Sequence, residues 1–254
     1  MEKKDIDALK DRIKYAGFGE ELGKELETKI KEGKEAFQLQ HSASIGEKKM
    51  NYNLNFRKSE KNGQYYFNSF DAELTKPDGK TQSQTFYQNQ NISAKEAFNL
   101  LEWRSVYKTL FNKDGERYNA WLQLDLAGKN DKGLHPMQQY HDKYGFELEK
   151  ALGKLPIVEM EGMDPKDRLL YSLKKGNLHQ VSIAGKEGKF LVAANPKYKT
   201  VSLYEPNGKR INLKDLREEL EKGQKQDKGK KKSMESKKAQ GSKKKTGQKK
   251  GIKV

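Results

Sequence analysis

From Phe37 to Gln88 apolar side chains return at every second position, and this period restricts the fold more than any other feature of the chain. Phe37, Leu39, His41, Ala43 and Ile45, then Met50, Tyr52, Leu54 and Phe56, then Tyr66, Phe70, Ala72 and Leu74 alternate with mostly polar residues. Successive side chains of a strand point to opposite faces, so each run buries one face of an antiparallel sheet and wets the other. Asn62-Gly63 and Pro77-Asp78-Gly79 are turn sequences, glycine supplying positive φ and proline presetting the first turn residue. Thr81 to Gln88 is predicted as the fourth strand.

The period changes on both sides of this block. Ile6, Leu9 and Ile13, then Leu22, Leu26 and Ile30, recur at three and four residue steps, with Gly17 and Gly19 between them. That spacing predicts two helices joined by a turn, the second ending at Gly33. Beyond the strands, Ser93 and Glu96 form a capping box with Ile92 placed to staple against Ala97. The helix they open is predicted to bury Ala97, Leu100, Leu101, Tyr107 and Phe111. Asn112 to Gly115 is a turn, and Ala120, Leu122, Leu124 and Leu126 alternate as a fifth strand. Pro136 then reads as a helix start, Gly145 as its break, and Phe146 to Leu152 as a further short helix. Lys143-Tyr144-Gly145-Phe146 echoes Lys14-Tyr15-Ala16-Gly17-Phe18, a local recurrence of a helix, glycine, aromatic joint; a solenoid needs three or more copies.

Pro156 to Gly162 reads as a boundary. Asp164 and Pro165 open a helix that ends at Gly176, followed by strands around Leu178 to Ala184, Lys189 to Ala194 and Thr200 to Tyr204. After the turn Pro206-Asn207-Gly208 a last helix begins near Asn212 and loses its apolar face after Leu220. The predicted class is therefore α+β: a mostly antiparallel sheet flanked by helices, a small second α+β unit, and a disordered polybasic C-terminal tail. The expected divisions are residues 1–157, 158–221 and 222–254. The middle unit, at roughly 60 residues, is near the size at which a domain is marginal alone, so it is expected to dock on the first.

Charge separates the tail from the rest. The chain of 254 residues carries a formal +16; residues 222–254 hold 14 lysines against Asp227 and Glu235, or +12, which leaves +4 for residues 1–221. Of the 50 Leu, Ile, Val and Phe residues, 48 lie before residue 222, so a core belongs to the body and the tail has none. Lys230, Lys231, Lys232, Lys237, Lys238, Lys243, Lys244, Lys245, Lys249 and Lys250 stand in clusters spaced by Gly, Ser and Gln. Such clusters stay solvated, repel one another and bind polyanions by phosphate neutralisation and counterion release, without reading sequence. Nucleic acid is the expected partner, through these ten lysines. A membrane is not, because the tail has neither an apolar anchor nor a lipidation motif. The alternative for the tail is a purely solubilising role.

Other chemistries fit poorly. The chain has no cysteine, hence no disulfide framework or thiolate metal site. With an N-terminus that lacks an apolar signal core and no run approaching ~18 apolar residues, the expectation is a soluble, cytoplasmic protein. His135 and His141 lack the spacing of a helical metal pair, and His41 and His179 have no evident partner. Asp125 to Gly133 has the wrong spacing for a calcium loop, with Pro136 where the bidentate Glu belongs. Glu159, Glu161, Asp164 and Asp167 read as a polar linker and helix start. Gly17-Phe18-Gly19 follows no strand and so lacks the setting of a dinucleotide loop. Ser172-Leu173-Lys174-Lys175 and Lys245-Thr246-Gly247 match two elements of penicillin-binding enzymes, but the second lies in the tail, off any strand. No metal or cofactor is expected, and no enzymatic activity.

Two surfaces of the body are candidates for binding. Arg57, Lys58, Tyr65, Tyr66, Phe67 and Tyr87 on the sheet would make a stacking platform if exposed, although their more ordinary place is the core. Trp103 and Arg104 would make a protein-docking hot spot if exposed, and packing against the sheet explains Trp103 equally well.

Several blocks in order carry a family resemblance: Lys14-Tyr15-Ala16-Gly17-Phe18-Gly19, Asn55-Phe56-Arg57-Lys58, Gln84-Thr85-Phe86-Tyr87, Tyr118-Asn119-Ala120-Trp121, Lys143-Tyr144-Gly145-Phe146-Glu147-Leu148-Glu149-Lys150-Ala151-Leu152 and Ala194-Asn195-Pro196-Lys197-Tyr198-Lys199-Thr200. A further block runs from Lys174-Lys175-Gly176-Asn177 to Tyr204 and Asn207-Gly208. Over about residues 1–211 the chain resembles proteins of unknown function carried on conjugative transposons and plasmids of Bacteroidetes, which bear a domain of unknown function, often near the C-terminus. The resemblance implies a cytoplasmic, non-enzymatic accessory protein of a mobile genetic element. It brings no catalytic residues, and it does not require the lysine tail. The alternative is a protein-protein interaction module, with a partner from the same element and an incidental tail.

Overall fold

The computed structural model describes residues 2–125 and 128–222. Among them the architecture is α+β, with three antiparallel sheets. The alternating block forms the first sheet. Strands β1 (Ala36–Ile45), β2 (Lys48–Lys58), β3 (Tyr65–Thr75) and β4 (Thr81–Tyr87) lie side by side in chain order. Phe37 pairs with Phe56 and Leu39 with Leu54, all four buried. On the opposite face Gln38 donates to Asn55 Oδ1 (2.7 Å), Asn55 to Asp71 Oδ2 (3.0 Å), and Thr85 Oγ1 to Asp71 Oδ1 (2.6 Å). This polar row crosses all four strands and satisfies the wet face through cross-strand pairs.

One phase of the predicted alternation shifts. Phe56 pairs with Phe67 while Asn55 pairs with Ser69, so Asn68 is an extra residue on β3. A bulge of this kind reverses the parity of everything before it. Tyr65 and Phe67 therefore face the core, and Tyr66 faces solvent.

Helices α1 (Lys3–Ile13) and α2 (Gly23–Glu32) flank a π-type turn over Lys14–Phe18. Gly17, at φ 92°, lets the backbone leave the helix and drive Phe18 into the sheet, where its ring meets Tyr52 at 5.2 Å and Phe70 at 5.1 Å, both edge-on. Helix α3 (Ala94–Leu101) closes the same core. Tyr52 Oη donates to Ala94 O (2.9 Å), and burial pushes that phenol well above its ordinary pKa.

Helix α3 is shorter than expected. Tyr107 and Phe111 lie on strand β5 (Val106–Phe111), which pairs with β6 (Arg117–Leu124), and Phe111 is 58% exposed. The helix ends in a Schellman motif, Trp103 N donating to Leu100 O and Arg104 N to Asn99 O, with Trp103 at φ 62°. Glycine usually takes that left-handed position, so no stop signal was visible. The helix predicted at Pro136 is instead strand β7 (Met137–His141), paired with Leu124 to Ala120 along the free edge of β6. Met137 to His141 has no helical apolar face, and the open ladder of β6 supplies its hydrogen bonds. Leu126, the expected end of the fifth strand, lies outside the described residues.

The remaining elements are α4 (Leu148–Leu152), α5 (Met163–Lys174), β8 (His179–Val181), β9 (Phe190–Asn195), β10 (Thr200–Tyr204), β11 (Arg210–Ile211) and a helix, α6, over 213–222. Strands β8 to β11 form the third sheet, again in chain order. Their core contains Leu169, Leu173, Val192, Leu203 and Leu216, and it extends back to Phe146, Leu148 and Leu152.

The sheet β5–β6–β7 is the wall between the two cores. Val106, Leu110, Ala120, Leu122 and Leu124 belong to the first, whereas Trp121, with Tyr107 and Tyr140 packed near it, belongs to the second. A polar joint reinforces the wall. Gly176, at φ 79°, sits so close to β5 that a Cβ there would come within 2.8 Å of Val106 Cγ1 and 2.9 Å of Ser105 O. Around it Asn99 Nδ2 donates to Lys175 O (2.7 Å), and Arg104 donates to Gly176 O (2.8 Å) and Asn99 Oδ1 (2.6 Å). Among the described residues no helix is long and apolar enough to cross a membrane.

Candidate functional site

The ten tail lysines, Lys230 to Lys250, lie outside the described residues. Within the body, a group of side chains suited to binding lies where the second and third sheets meet. A cleft of about 480 Å³ opens there. One wall is the end of β6 and the adjoining β7, presenting Gln123, Gln138 and Tyr140. The facing wall is β9, β10 and β11, presenting Asn195, Tyr204 and Arg210.

The inner end is built by the irregular exit of α3. Trp103 packs on the first core and meets the His135 ring edge-on at 4.9 Å. With the Gln82 amide oriented to donate to Leu101 O (2.7 Å), its oxygen accepts from Trp103 Nε1 (3.2 Å), and Gln123 Nε2 donates to Trp103 O (3.2 Å). These contacts hold a bulky residue in a strained backbone region. Arg104 follows it into the cleft, over the Phe98 ring at 5.3 Å. Burial pulls its guanidinium below the ordinary pKa, although Glu102 and Tyr204 act the other way.

The outer rim is the turn Asn195-Pro196-Lys197-Tyr198-Lys199. Pro196 opens a single 3-10 turn over Pro196–Tyr198, and Lys199 at φ 51° reverses the chain into β10. This leaves Tyr198 67% exposed at the mouth of the cleft. Tyr144, on the 3-10 turn Asp142–Tyr144 that follows β7, approaches from the opposite side, its Oη donating to Lys197 O (2.8 Å), its ring 5.0 Å from that of Tyr140, with Lys199 Nζ 4.6 Å above it. Lys197 Nζ lies 5.9 Å from the Tyr198 ring. Burial, together with Tyr144, Asp125 and Tyr198, pushes the Tyr140 hydroxyl upward, so it stays protonated and able to donate at neutral pH. The cleft thus combines aromatic faces, amides and the cations Arg104, Lys197 and Arg210, with Asp125 as its acid. Faces and cations of this kind hold planar rings and anions.

The earlier candidates divide. Tyr65 and Phe67 of the sheet platform are core, while Arg57, Lys58, Tyr66 and Tyr87 are exposed. Trp103 and Arg104 are not an exposed hot spot, because both are packed at the joint. His135 is held by its contacts to Asp125 O (2.9 Å) and Gly128 O (3.0 Å), and His141 lies against Tyr118. Among the described residues no group of three or more His, Asp or Glu is placed to hold a metal ion. Asn130 Oδ1 accepts from Lys132 N and Leu134 N, so the calcium-like stretch contains an Asx turn. Glu159 accepts from Ser182 N (2.9 Å), which ties the linker before α5 to the third sheet. The cleft has only a faint signal in the sequence, the block Asn195-Pro196-Lys197-Tyr198-Lys199, an aromatic between two lysines after a turn-forming proline.

Compared with protein-family models, with curated proteins and with solved structures, the chain matches none.

Proposed function

We propose that the protein binds nucleic acid, as a non-enzymatic accessory protein of a mobile genetic element, and that the lysine segment supplies the electrostatic contact. One observation carries this reading: +12 of the formal +16 is concentrated in residues 222–254, joined to a body of +4 that has its own cores. A chain of solvated lysines gains affinity for phosphates by releasing condensed counterions, with little regard for base sequence. The mobile-element context rests on the resemblance of the sequence blocks, as does the cytoplasmic location.

The test compares the full chain with a full-length version in which Lys230, Lys231, Lys232, Lys237, Lys238, Lys243, Lys244, Lys245, Lys249 and Lys250 are all glutamine. Binding to a DNA duplex is measured across a salt series. With about five phosphates contacted, log affinity should fall against log salt with a slope of about −3 to −5, and the slope should largely vanish in the glutamine version. Equal, salt-insensitive binding by both proteins defeats the proposal.

A further inference from the structure

The lysine segment gives affinity for any polyanion, but the cleft between the second and third sheets has a different chemistry. We propose that this cleft is a binding site for single-stranded nucleic acid, taking an unpaired base on the Tyr198 and Tyr144 rings and the adjoining phosphates on Lys197 and Arg210. The inference deepens the nucleic-acid reading by giving the body a strand preference that the tail cannot supply.

Three observations converge. First, the aromatics are exposed where a core would have hidden them. Tyr198 is 67% and Tyr144 39% exposed, and Tyr144 is held by its Oη bond to Lys197 O (2.8 Å), on the turn that carries Tyr198. Accessible aromatic rings are what base stacking needs. Second, cations border those rings: Lys199 Nζ is 4.6 Å above Tyr144, Lys197 Nζ is 5.9 Å from Tyr198, and the exposed Arg210 lines the cleft. A duplex presents phosphates to such cations but keeps its base faces stacked, so only an unpaired strand uses rings and cations together. Third, the walls behind the rim carry the amides of Gln138 and Asn195, which donate to Asp125 Oδ2 (3.0 Å) and Ser202 Oγ (3.0 Å) and keep further hydrogen-bonding capacity, and the protonated hydroxyl of Tyr140, groups that bond base edges. The volume, about 480 Å³, lies in the range of sites that enclose a small planar ligand. An acidic peptide would satisfy the cations but leave the exposed tyrosine faces unused.

The experiment uses the full-length chain with the ten tail lysines as glutamine, so that the cleft is measured without the tail. Probes are fluorescein-labelled oligothymidylate and oligouridylate of about 12 nucleotides, within the ~4–16 nucleotide range of single-strand sites, and a duplex of equal length. Both single strands should bind more tightly than the duplex, and a clear preference between the two names DNA or RNA as the source. Tyr198→Ala should weaken single-strand binding by about 10-fold and leave duplex binding unchanged, Tyr198→Trp should retain it, and Arg210→Gln, which removes a phosphate contact, should weaken single strand and duplex alike. Both side chains are exposed, and an unchanged thermal unfolding midpoint verifies that each variant is folded. Equal affinity for single strand and duplex, no measurable binding, or full affinity in Tyr198→Ala overturns the proposal. Restoring the lysines separates the two readings: the tail should strengthen both kinds of probe alike. A tail without effect beside a working cleft defeats only the electrostatic reading.

Discussion

Glu96 is the residue whose position in the fold differs most from what its chemistry suggests in sequence. As the fourth residue of a capping box it belongs on a helix surface, yet it is 1% exposed. Its carboxylate accepts from Ser93 N (2.9 Å) and from Lys108 Nζ (2.8 Å), a lysine itself only 8% exposed, and Lys175 Nζ lies 3.3 Å away. Burial alone would raise the Glu96 pKa, but Lys108, the Ser93 amide and Lys175 outweigh it, and the folded value lies below the ordinary one. A carboxyl depressed on folding stabilises the protein above its unfolded pKa, about 4.3, and that contribution is lost as pH falls through the lower folded value. Urea unfolding should therefore show little change from this group between pH 7 and 6 and a loss that develops below about pH 4. Glu96→Gln should flatten part of that acid limb while lowering stability at pH 7 by about 3–5 kcal/mol, because Lys108 is left buried without its partner. An acid limb identical to that of the unmodified protein would show that Glu96 does not set it. The capping box is legible because its spacing is local. The ion pair is not, since residue spacing places Lys108 on a helix, whereas α3 ends at Leu101 and Lys108 stands on β5.

At the scale of elements, local period marks some boundaries and distant partners set the others. Strands β1 and β2 and the paired helices α1 and α2 are readable because each has a clean period and its ends are marked by glycine or turn residues. The end of α3 is hidden because Trp103, not glycine, takes the left-handed exit, and β7 carries no strand signal of its own because only the edge of β6 makes it a strand. The Asn68 bulge reversed Tyr65, Tyr66 and Phe67 because a bulge leaves no mark on composition. The docking of α5 also depends on one residue at its exit. Gly176→Ala has to place a Cβ against Val106 Cγ1 and Ser105 O at positive φ. The combined left-handed and overpacking penalties are about 2–5 kcal/mol. Gly208→Ala, at φ 85° with nothing within 4 Å, carries the backbone penalty alone, about 1–2 kcal/mol. Chemical denaturation of both variants tests this, and equal losses would show that the joint at Gly176 has slack.

For the whole molecule, the decisive feature is that one three-stranded sheet lines two cores. Trp103 packs on the first core and Trp121 lies in the second, so the two tryptophans report on different sides of the wall. Fluorescence of Trp103→Phe and Trp121→Phe variants should give unfolding transitions with the same midpoint once each is corrected for its own stability change, because neither core keeps its wall when the other melts. Two separated transitions would mean that the cores are independent. The same wall brings Tyr140 and Tyr144 within reach of Lys197, Tyr198 and Arg210, residues from the far side of the expected boundary at 157, and so makes the cleft.

The amino-acid sequence by itself determined the α+β class, the meander of the first sheet, the helix pair and the separation of a lysine segment from a nearly neutral body. Those features depend on local period, turn chemistry and charge, each contained in a few neighbouring residues. Only the tertiary structure decided where α3 stops, that Met137 to His141 is a strand, that Glu96 and Lys108 meet out of water, and that exposed tyrosines and cations from both halves share one cleft. Each of these depends on a partner distant in the chain, and pairing across such distances has no signature in the spacing of residues along it.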